Sequence, residues 1–326
     1  MSTVSLLQSP LVKPQPPEQR LGSAAGGVWT RRDALEVLSS EQVRGRLRCG
    51  EWRALRPGIY TNGWDDVTAL KRAWAAVLAG GGVGRAVATG RTAARVHGLP
   101  LVDDHDALMG RYDEVHDDVW VGRQLAPAGA LHVTRGVLPP RHSGRLAGCP
   151  TASPLRTLAD LATVLRPDAL VCALDSALHR HLVTVDDLMA DAKERRGARG
   201  SPGLRQAVAV ADARAESPLE SLGRLLTRSV VPGLVPQLEV RDAAGAFLGR
   251  LDFGDAALRL GVEGDGRQGH AGDHRAADDR WRDSRFREAG WTVERYTWWE
   301  VRKRPDQLQS RLAARVAALS SGGSAA

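Results

Sequence analysis

Between Gln237 and Glu263 the chain alternates short apolar runs with turn residues, and two carboxylates sit inside those runs. "VPQLEVRDAAGAFLGRLDFGDAALRLGVEGD" reads as three strands, Gln237 to Arg241, Phe247 to Phe253 and Leu258 to Glu263, because turn residues separate the runs. A helix precedes them in "ESPLESLGRLLTRSVV": Ser217 is a fair N-cap, Pro218 suits the first helical position, and Leu219, Leu222, Leu225 and Leu226 form a stripe. A long helix follows, about His274 to Ala289, closed by Gly290, and "WTVERYTWWEV" reads as a fourth strand leading into a last helix. The fold class is α/β, with the order αβββαβ from about residue 214 to 316.

The second strand is expected to end near Asp252 and the third near Glu263. Neighbouring strand ends would then bring the two acids together. Like charges in one pocket repel, which raises a carboxyl pKa. A hard divalent cation, Mg²⁺ or Mn²⁺, removes that penalty, activates water and polarises a phosphoryl oxygen. Glu220, from the first helix, can approach the same corner.

A helical Glu, a strand Asp and a Glu-x-acid or Glu-x-Lys on the next strand resembles the PD-(D/E)XK restriction-endonuclease-like core. The stretch "SPLE…RLDF…LGVEGDGRQGH…DDRWRDSRFREAGWTVERYTW" resembles its very-short-patch-repair-like branch. The matching positions are Glu220, Asp252, Glu263, Asp265, Gly266, His270, Asp279, Arg282, Asp283, Phe286, Gly290 and Arg295. The resemblance implies catalytic roles for Glu220, Asp252, Glu263, Asp265 and His270, with Asp252 and Glu263 as metal ligands. It departs from many such nucleases in having Asp265 where they carry lysine, and Gly264 where the residue between the acids is bulkier. Charge stabilisation would then fall to metal, His270 or an arginine. Each residue also has a plainer reading: acids at a hairpin rim, a turn residue at Asp265, a loop histidine, a solvated helix acid at Glu220. Arg282 and Arg295 divide between ion pairs and phosphate contact. Trp281, Trp291, Trp298 and Trp299 read mainly as core packing, with base stacking as the alternative.

The N-terminal segment, 28–102, reads differently. A short helix near Arg31 to Leu38 is followed by "SSEQ", an N-cap signal, and by a basic helix from about Glu41 to Cys49, ended by Gly50. "WRALRPGIYTNG" gives two short strands turned at "RPG". Helix, basic helix and β-wing form a winged helix-turn-helix pattern, in which the basic helix enters a major groove and Arg53 and Arg56 of the wing touch phosphate. Arg44 and Arg48, four apart, share a face, whereas Arg46 diverges from them. A helical domain with a solvated arginine face is the alternative. "LRCGEWRALRPGIY" resembles the N-terminal domain of AbiEi-type antitoxins of type IV toxin–antitoxin systems. "ATGRTAARVHGLPL", a helix from Thr89 to near Gly98, follows the pattern seen after that domain in many actinobacterial proteins.

Residues 103–213 read as a mixed, mainly helical bridge. "TASPLRTLADLATVLRPDALVCALDSALH" has leucines at helical spacing, with Pro167 separating two helices, so Asp160 and Asp175 read as ordinary helix residues. "KERRGARGSPGLRQ" is a linker or a break between helices. Residues 1–27 are expected to be a disordered lead-in without a secretory signal, and 317–326 a tail.

Bulk composition narrows the setting. Net charge is +7 and the pI about 9.9, and only four of the 45 basic residues are lysine. That is compatible with a nucleic-acid partner, since arginine is the better phosphate fork. The three cysteines have no metal-ligand spacing and form no even disulfide set, which fits a reducing cytoplasm. No apolar run is long enough to span a bilayer, so no membrane partner is expected. Three functions follow. One is a Mg²⁺- or Mn²⁺-dependent endonuclease, or a nuclease-derived DNA binder, in a toxin–antitoxin or defence setting, with double-stranded DNA and a cognate toxin as partners. The second is an antitoxin-like transcriptional regulator with an inactive nuclease fold. The third, a repair nickase, rests on analogy alone.

Overall fold

The computed structural model describes residues 21, 25–104, 116–122, 131–266 and 273–322, with only the backbone described at 273–279 and 322. His270 and nearly all of the expected lead-in lie outside the described residues. Among the described residues the chain is mixed α/β with three sheets. No helix among them is long and apolar enough to cross a membrane. The chain divides into two units, residues 1–96 with 110–153, and residues 97–109 with 154–326.

The first unit begins with β1 (Val28–Thr30), α1 (Arg31–Leu35), α2 (Ser40–Arg48), β2 (Trp52–Arg56) and β3 (Ile59–Asn62). The "SSEQ" signal acts as expected: Ser39 Oγ accepts the Gln42 N–H and Gln42 Oε1 accepts the Ser39 N–H, a reciprocal capping box. The strands form an antiparallel sheet in the order β1-β3-β2. Trp29 meets Trp52 edge-on at 5.0 Å and Trp52 stacks on Tyr60 at 5.9 Å, closing a small core around Val43 of α2.

Next come α3 (Ala69–Ala79), β4 (Ala86–Ala88), α4 (Gly90–Val96), β5 (Asp117–Val121), β6 (Leu131–Arg135), β7 (Ser143–Leu146) and β8 (Cys149–Ala152). The strands of this group form a five-stranded sheet in the order β6-β5-β4-β8-β7, so much of the middle segment up to residue 153 is β-structure. Asp117, fully buried, is ringed by the guanidinium groups of Arg56 (2.6 Å), Arg72 (2.7 Å) and Arg95 (3.6 Å).

The second unit opens with helices α5 (Pro154–Leu161), α6 (Pro167–His179), α7 (Val185–Glu194), α8 (Ser201–Val208) and α9 (Pro218–Thr227). Pro167 is the first residue of α6, where its missing N–H breaks no helical bond. Asp175 is fully buried, held by Arg224 at 2.7 Å and by the Asp212 N–H at 2.7 Å, which supports its structural reading.

The chain then runs through β9 (Val235–Arg241), β10 (Phe247–Asp255), β11 (Leu260–Asp265), α10 (Asp273–Glu288), β12 (Thr292–Thr297), α11 (Trp298–Lys303) and α12 (Pro305–Gly322). The sheet order is β12-β11-β10-β9, with β12 parallel to β11 and the other pairs antiparallel. A parallel neighbour needs a crossover, and α10 supplies it. Phe286 of α10 is buried with Val240, Leu248 and Leu251 of the sheet. Burying such a side chain contributes about 1.5–3 kcal/mol. That outweighs the few tenths of a kcal/mol from each surface pair along the same helix. Leu219, Phe253, Val262, Tyr296, Leu308 and Leu312 make a second cluster that binds α9 and α12 to the sheet.

Two expectations need correcting here. "WTVERYTWWEV" is not strand throughout: β12 ends at Thr297 and Trp298 opens α11 with no loop between them. Thr297 and Glu300 form the capping box that makes the switch, with the Thr297 N–H donating to Glu300 Oε2 at 2.9 Å. The stretch read as a tail is helical as far as Gly322.

Candidate active site

The strands end close to where expected, at Asp255 and Asp265, but those ends do not bring Asp252 and Glu263 together, because antiparallel neighbours end on opposite sides. β10 continues to Asp255 and β11 starts at Leu260, so neither acid lies where the hairpin turns. They meet because they flank that turn symmetrically. The antiparallel ladder pairs Asp255 with Leu260, Gly254 with Gly261 and Phe253 with Val262, and the next residues outward are Asp252 and Glu263. There the Asp252 side chain joins the strands, since its Oδ2 accepts the N–H of Gly264 at 2.8 Å.

The other edge of β10 is irregular at the same level. Leu238 pairs with Leu251 and Pro236 with Phe253, while Gln237 between them takes a left-handed φ of 55°. Such a backbone is uncommon for a residue with a Cβ. Its side chain reaches α9, where Gln237 Nε2 donates to Glu220 Oε2 at 3.0 Å. Glu220 sits in the first turn of α9, its own N–H bonded to Ser217 Oγ, and its carboxylate also accepts the Glu216 N–H at 3.0 Å. Part of its role is therefore to cap the helix.

Gly264 explains how α9 comes so close. A Cβ at this position would lie 3.1 Å from the Tyr296 hydroxyl and 3.2 Å from Leu219. Tyr296, fully buried, donates its hydroxyl to the Leu219 carbonyl at 3.3 Å, one residue before Glu220. Gly264, where the residue between the acids is usually bulkier, is the space that lets α9 present Glu220.

Burial dominates the electrostatics. Glu263 is 6% exposed and Glu220 8%. Desolvation pushes the carboxyl groups of Glu220, Asp252 and Glu263 above their ordinary values. The Asp252 charge adds to the rise at both Glu220 and Glu263, which places the three acids in one electrostatic cluster. Arg282 opposes the rise at Asp252 and Glu263, and Arg295 opposes it at Glu263. Glu263 Oε2 is shared by Arg282 at 3.0 Å and Arg295 at 3.2 Å. Arg295 also grips Asp283 with both terminal nitrogens, at 2.8 and 2.6 Å.

Among the described residues, no three His, Cys, Asp or Glu side chains are gathered closely enough to form a metal cage. The donor set nonetheless fits a Mg²⁺ ion, which is commonly held by one or two carboxylates with waters and substrate phosphate completing its shell. Asp252 and Glu263 each use one oxygen in hydrogen bonds to described residues, leaving Asp252 Oδ1 and Glu263 Oε1 for a cation. Asp265 ends β11 two residues beyond Glu263, half-buried. His270 lies outside the described residues. Gln237 and Tyr296 belong to the site but were not legible beforehand: a glutamine at a strand edge and a tyrosine in an apolar run carry no motif.

The basic N-terminal positions divide. Arg44 and Arg48 are exposed on α2. Arg46 pairs with Glu51 and lies over the Trp52 ring at 5.9 Å. Arg53 is exposed on β2. Arg56, expected to touch phosphate, is corrected: it is buried against Asp117 and faces the core. Trp281 and Trp299, read as core, are instead 63% and 54% exposed, held under Arg285 and Arg304.

No family model matches the chain. Over 196 residues, 59% of this chain and 70% of theirs, it is 31% identical to two Mycobacterium tuberculosis proteins. These are uncharacterized protein MT2308 of strain CDC 1551 / Oshkosh and uncharacterized protein Rv2248 of strain ATCC 25618 / H37Rv. Identity at that level over that share of both chains makes this protein a member of the same family as Rv2248 and MT2308.

Proposed function

We propose that the chain is a metal-dependent nuclease of the PD-(D/E)XK type, acting on nucleic acid in a toxin–antitoxin or defence setting. The observation that carries this reading is the cluster of Glu220, Asp252 and Glu263 around Gly264, three acids drawn together at a cost in desolvation. Clustered carboxylates with perturbed pKa values are a mark of functional sites. Asp252 and Glu263 would hold Mg²⁺ or Mn²⁺. Bound there, the ion would supply Lewis-acid polarisation of the phosphate and a more acidic water. Gln237 orients Glu220, and the Gly264 N–H fixes the carboxylate plane of Asp252. Arg282 and Arg295 stand where they can meet a phosphate oxygen once Glu263 turns to the cation. The N-terminal helix–helix–hairpin, read as a winged helix with Arg44, Arg48 and Arg53 outward, would hold duplex DNA, and a cognate toxin is the proposed protein partner.

The test is incubation of the full chain with supercoiled plasmid and with single strands, in Mg²⁺, Mn²⁺ or EDTA. Cleavage in metal, absent in EDTA and abolished by Asp252→Ala or Glu263→Ala with binding retained, is the expected result.

One observation favours a second reading. Glu263 is already neutralised by two arginines, as in a closed ion-pair network. A protein that binds DNA but cuts no DNA or RNA in any metal would be an antitoxin-like regulator built on an inactive nuclease fold.

A further inference from the structure

An exposed ladder of rings and guanidinium groups begins beside the carboxylate cluster. Arg285 lies one helical turn beyond Arg282, the arginine that pairs with Glu263, on the same face of α10, and Trp281, whose side chain is 63% exposed, lies beneath it. The Arg285 guanidinium lies 4.7 Å from the centre of the Trp281 ring. Arg285 Nη2 also donates to the Phe247 carbonyl at 3.1 Å. The Phe247 ring is 50% exposed, and Arg241 covers it at 5.8 Å. The order is Trp281, Arg285, Phe247, Arg241, leading away from Glu263 onto an open hollow that Arg241, Arg259 and Arg285 border.

We infer that this ladder holds an unpaired nucleic-acid strand as it leaves the carboxylate cluster. The inference deepens the nuclease reading and rests on it for the substrate class. Each arginine fixes its ring by a cation–π contact, so little side-chain freedom remains to be lost on binding. A ring held in this way offers its open face to a base, and the arginines between rings meet the phosphates. A duplex hides its base faces within its own stack, so exposed rings favour an unpaired strand. Among the described residues, nearby acids are largely occupied: Asp242 accepts the N–H groups of its own turn, Glu288 the Ser284 hydroxyl, and Glu239 pairs with Arg241 at 3.1 Å.

The test is fluorescence anisotropy of the full chain in EDTA. Labelled oligo-dT and oligo-rU of about 20 nucleotides are compared with a duplex of equal length. The wild-type protein should bind at least one of the strands, beside the duplex that the N-terminal helix would hold. Trp281→Ala combined with Phe247→Ala should weaken strand binding about tenfold or more and leave duplex binding nearly unchanged. Trp281→Phe, which keeps a ring and guards against a folding artefact, should retain most of the affinity. Equal losses on strand and duplex, an unchanged strand affinity, or no binding of either strand would overturn the ladder. Because these measurements contain no metal, they separate the two ideas. A protein that cuts while the double variant binds strands as wild type loses only the ladder. One that never cuts, yet loses strand binding on ring removal, loses only the nuclease.

Discussion

Gln237 Nε2 donates to Glu220 Oε2 at 3.0 Å from a backbone in the left-handed region. A residue with a Cβ held there is less stable by about 1–2 kcal/mol than in the right-handed region. Glycine escapes that penalty. Gln237→Gly and Gln237→Ala both remove the hydrogen bond, so their difference isolates the backbone. The alanine variant should be the less stable of the two by about 1 kcal/mol in urea unfolding. Equal stabilities would mean that the left-handed turn carries no strain.

Burial of the acids gives stability a pH dependence of definite sign. A carboxyl whose folded pKa is raised binds more protons folded than unfolded between the two values, so stability falls as pH rises through that window. The window opens at the ordinary carboxylate value and closes at the raised one. Asp252→Asn keeps an acceptor for the Gly264 N–H and removes the titration. Its melting temperature relative to wild type should therefore climb as pH is raised from the carboxylate range toward neutrality. In the wild type, Mg²⁺ at neutral pH should recover part of the lost stability through linkage. A constant difference between variant and wild type across this range would contradict the assignment.

Asp117 pairs with three guanidinium groups, those of Arg56, Arg72 and Arg95. Removing one member of a buried pair typically costs about 3–5 kcal/mol, because the other charge is left uncompensated. Asp117→Asn removes the charge that three guanidinium groups share, whereas Arg56→Met leaves Asp117 with two cations. Denaturant titration should show the asparagine variant to be the more destabilised. The reverse order would mean that the arginines draw most of their compensation elsewhere.

Arg44 and Arg48 stand exposed on α2. Replacing both with alanine should weaken duplex binding and lower the slope of log affinity against log salt by about 2, near 0.9 for each phosphate no longer neutralised. The fold should survive, since Val43 anchors the helix. An unchanged slope would return the helix to a solvated role.

The sequence was most readable where local chemistry decides the outcome. Ser39 with Gln42, Ser217 with Pro218, and the apolar runs from Val235 to Asp265 set caps and strands within a few residues, and those elements formed close to where they were expected. Reading failed where distant partners decide. Arg56 looked like any wing arginine until Asp117, far along the chain, buried it. Trp281 looked like core because tryptophan usually is, yet it stands exposed under Arg285. Asp252 and Glu263 were rightly brought together for a mistaken reason: the turn symmetry joins them, not the strand ends. Trp298 and Trp299 have strand-like side chains, but Thr297 and Glu300 cap a helix there.

The loopless change from β12 to α11 makes the end of the chain a mechanical part of the cluster. Thr297 is both the last strand residue and the helix cap, so nothing compliant separates Arg295 from Glu300. Arg311 of α12 then clasps both, donating to the Arg295 carbonyl at 2.7 Å and pairing with Glu300 at 2.6 Å. Arg295 in turn holds Glu263. Trimming the chain back to Thr297 would keep every acid of the cluster in the sequence, yet remove Leu308 and Leu312 from the core that seats α9 and slacken the clamp on Glu263. A shortened protein would keep its motif and lose its rigidity, so the smallest working unit of this domain extends at least through α12.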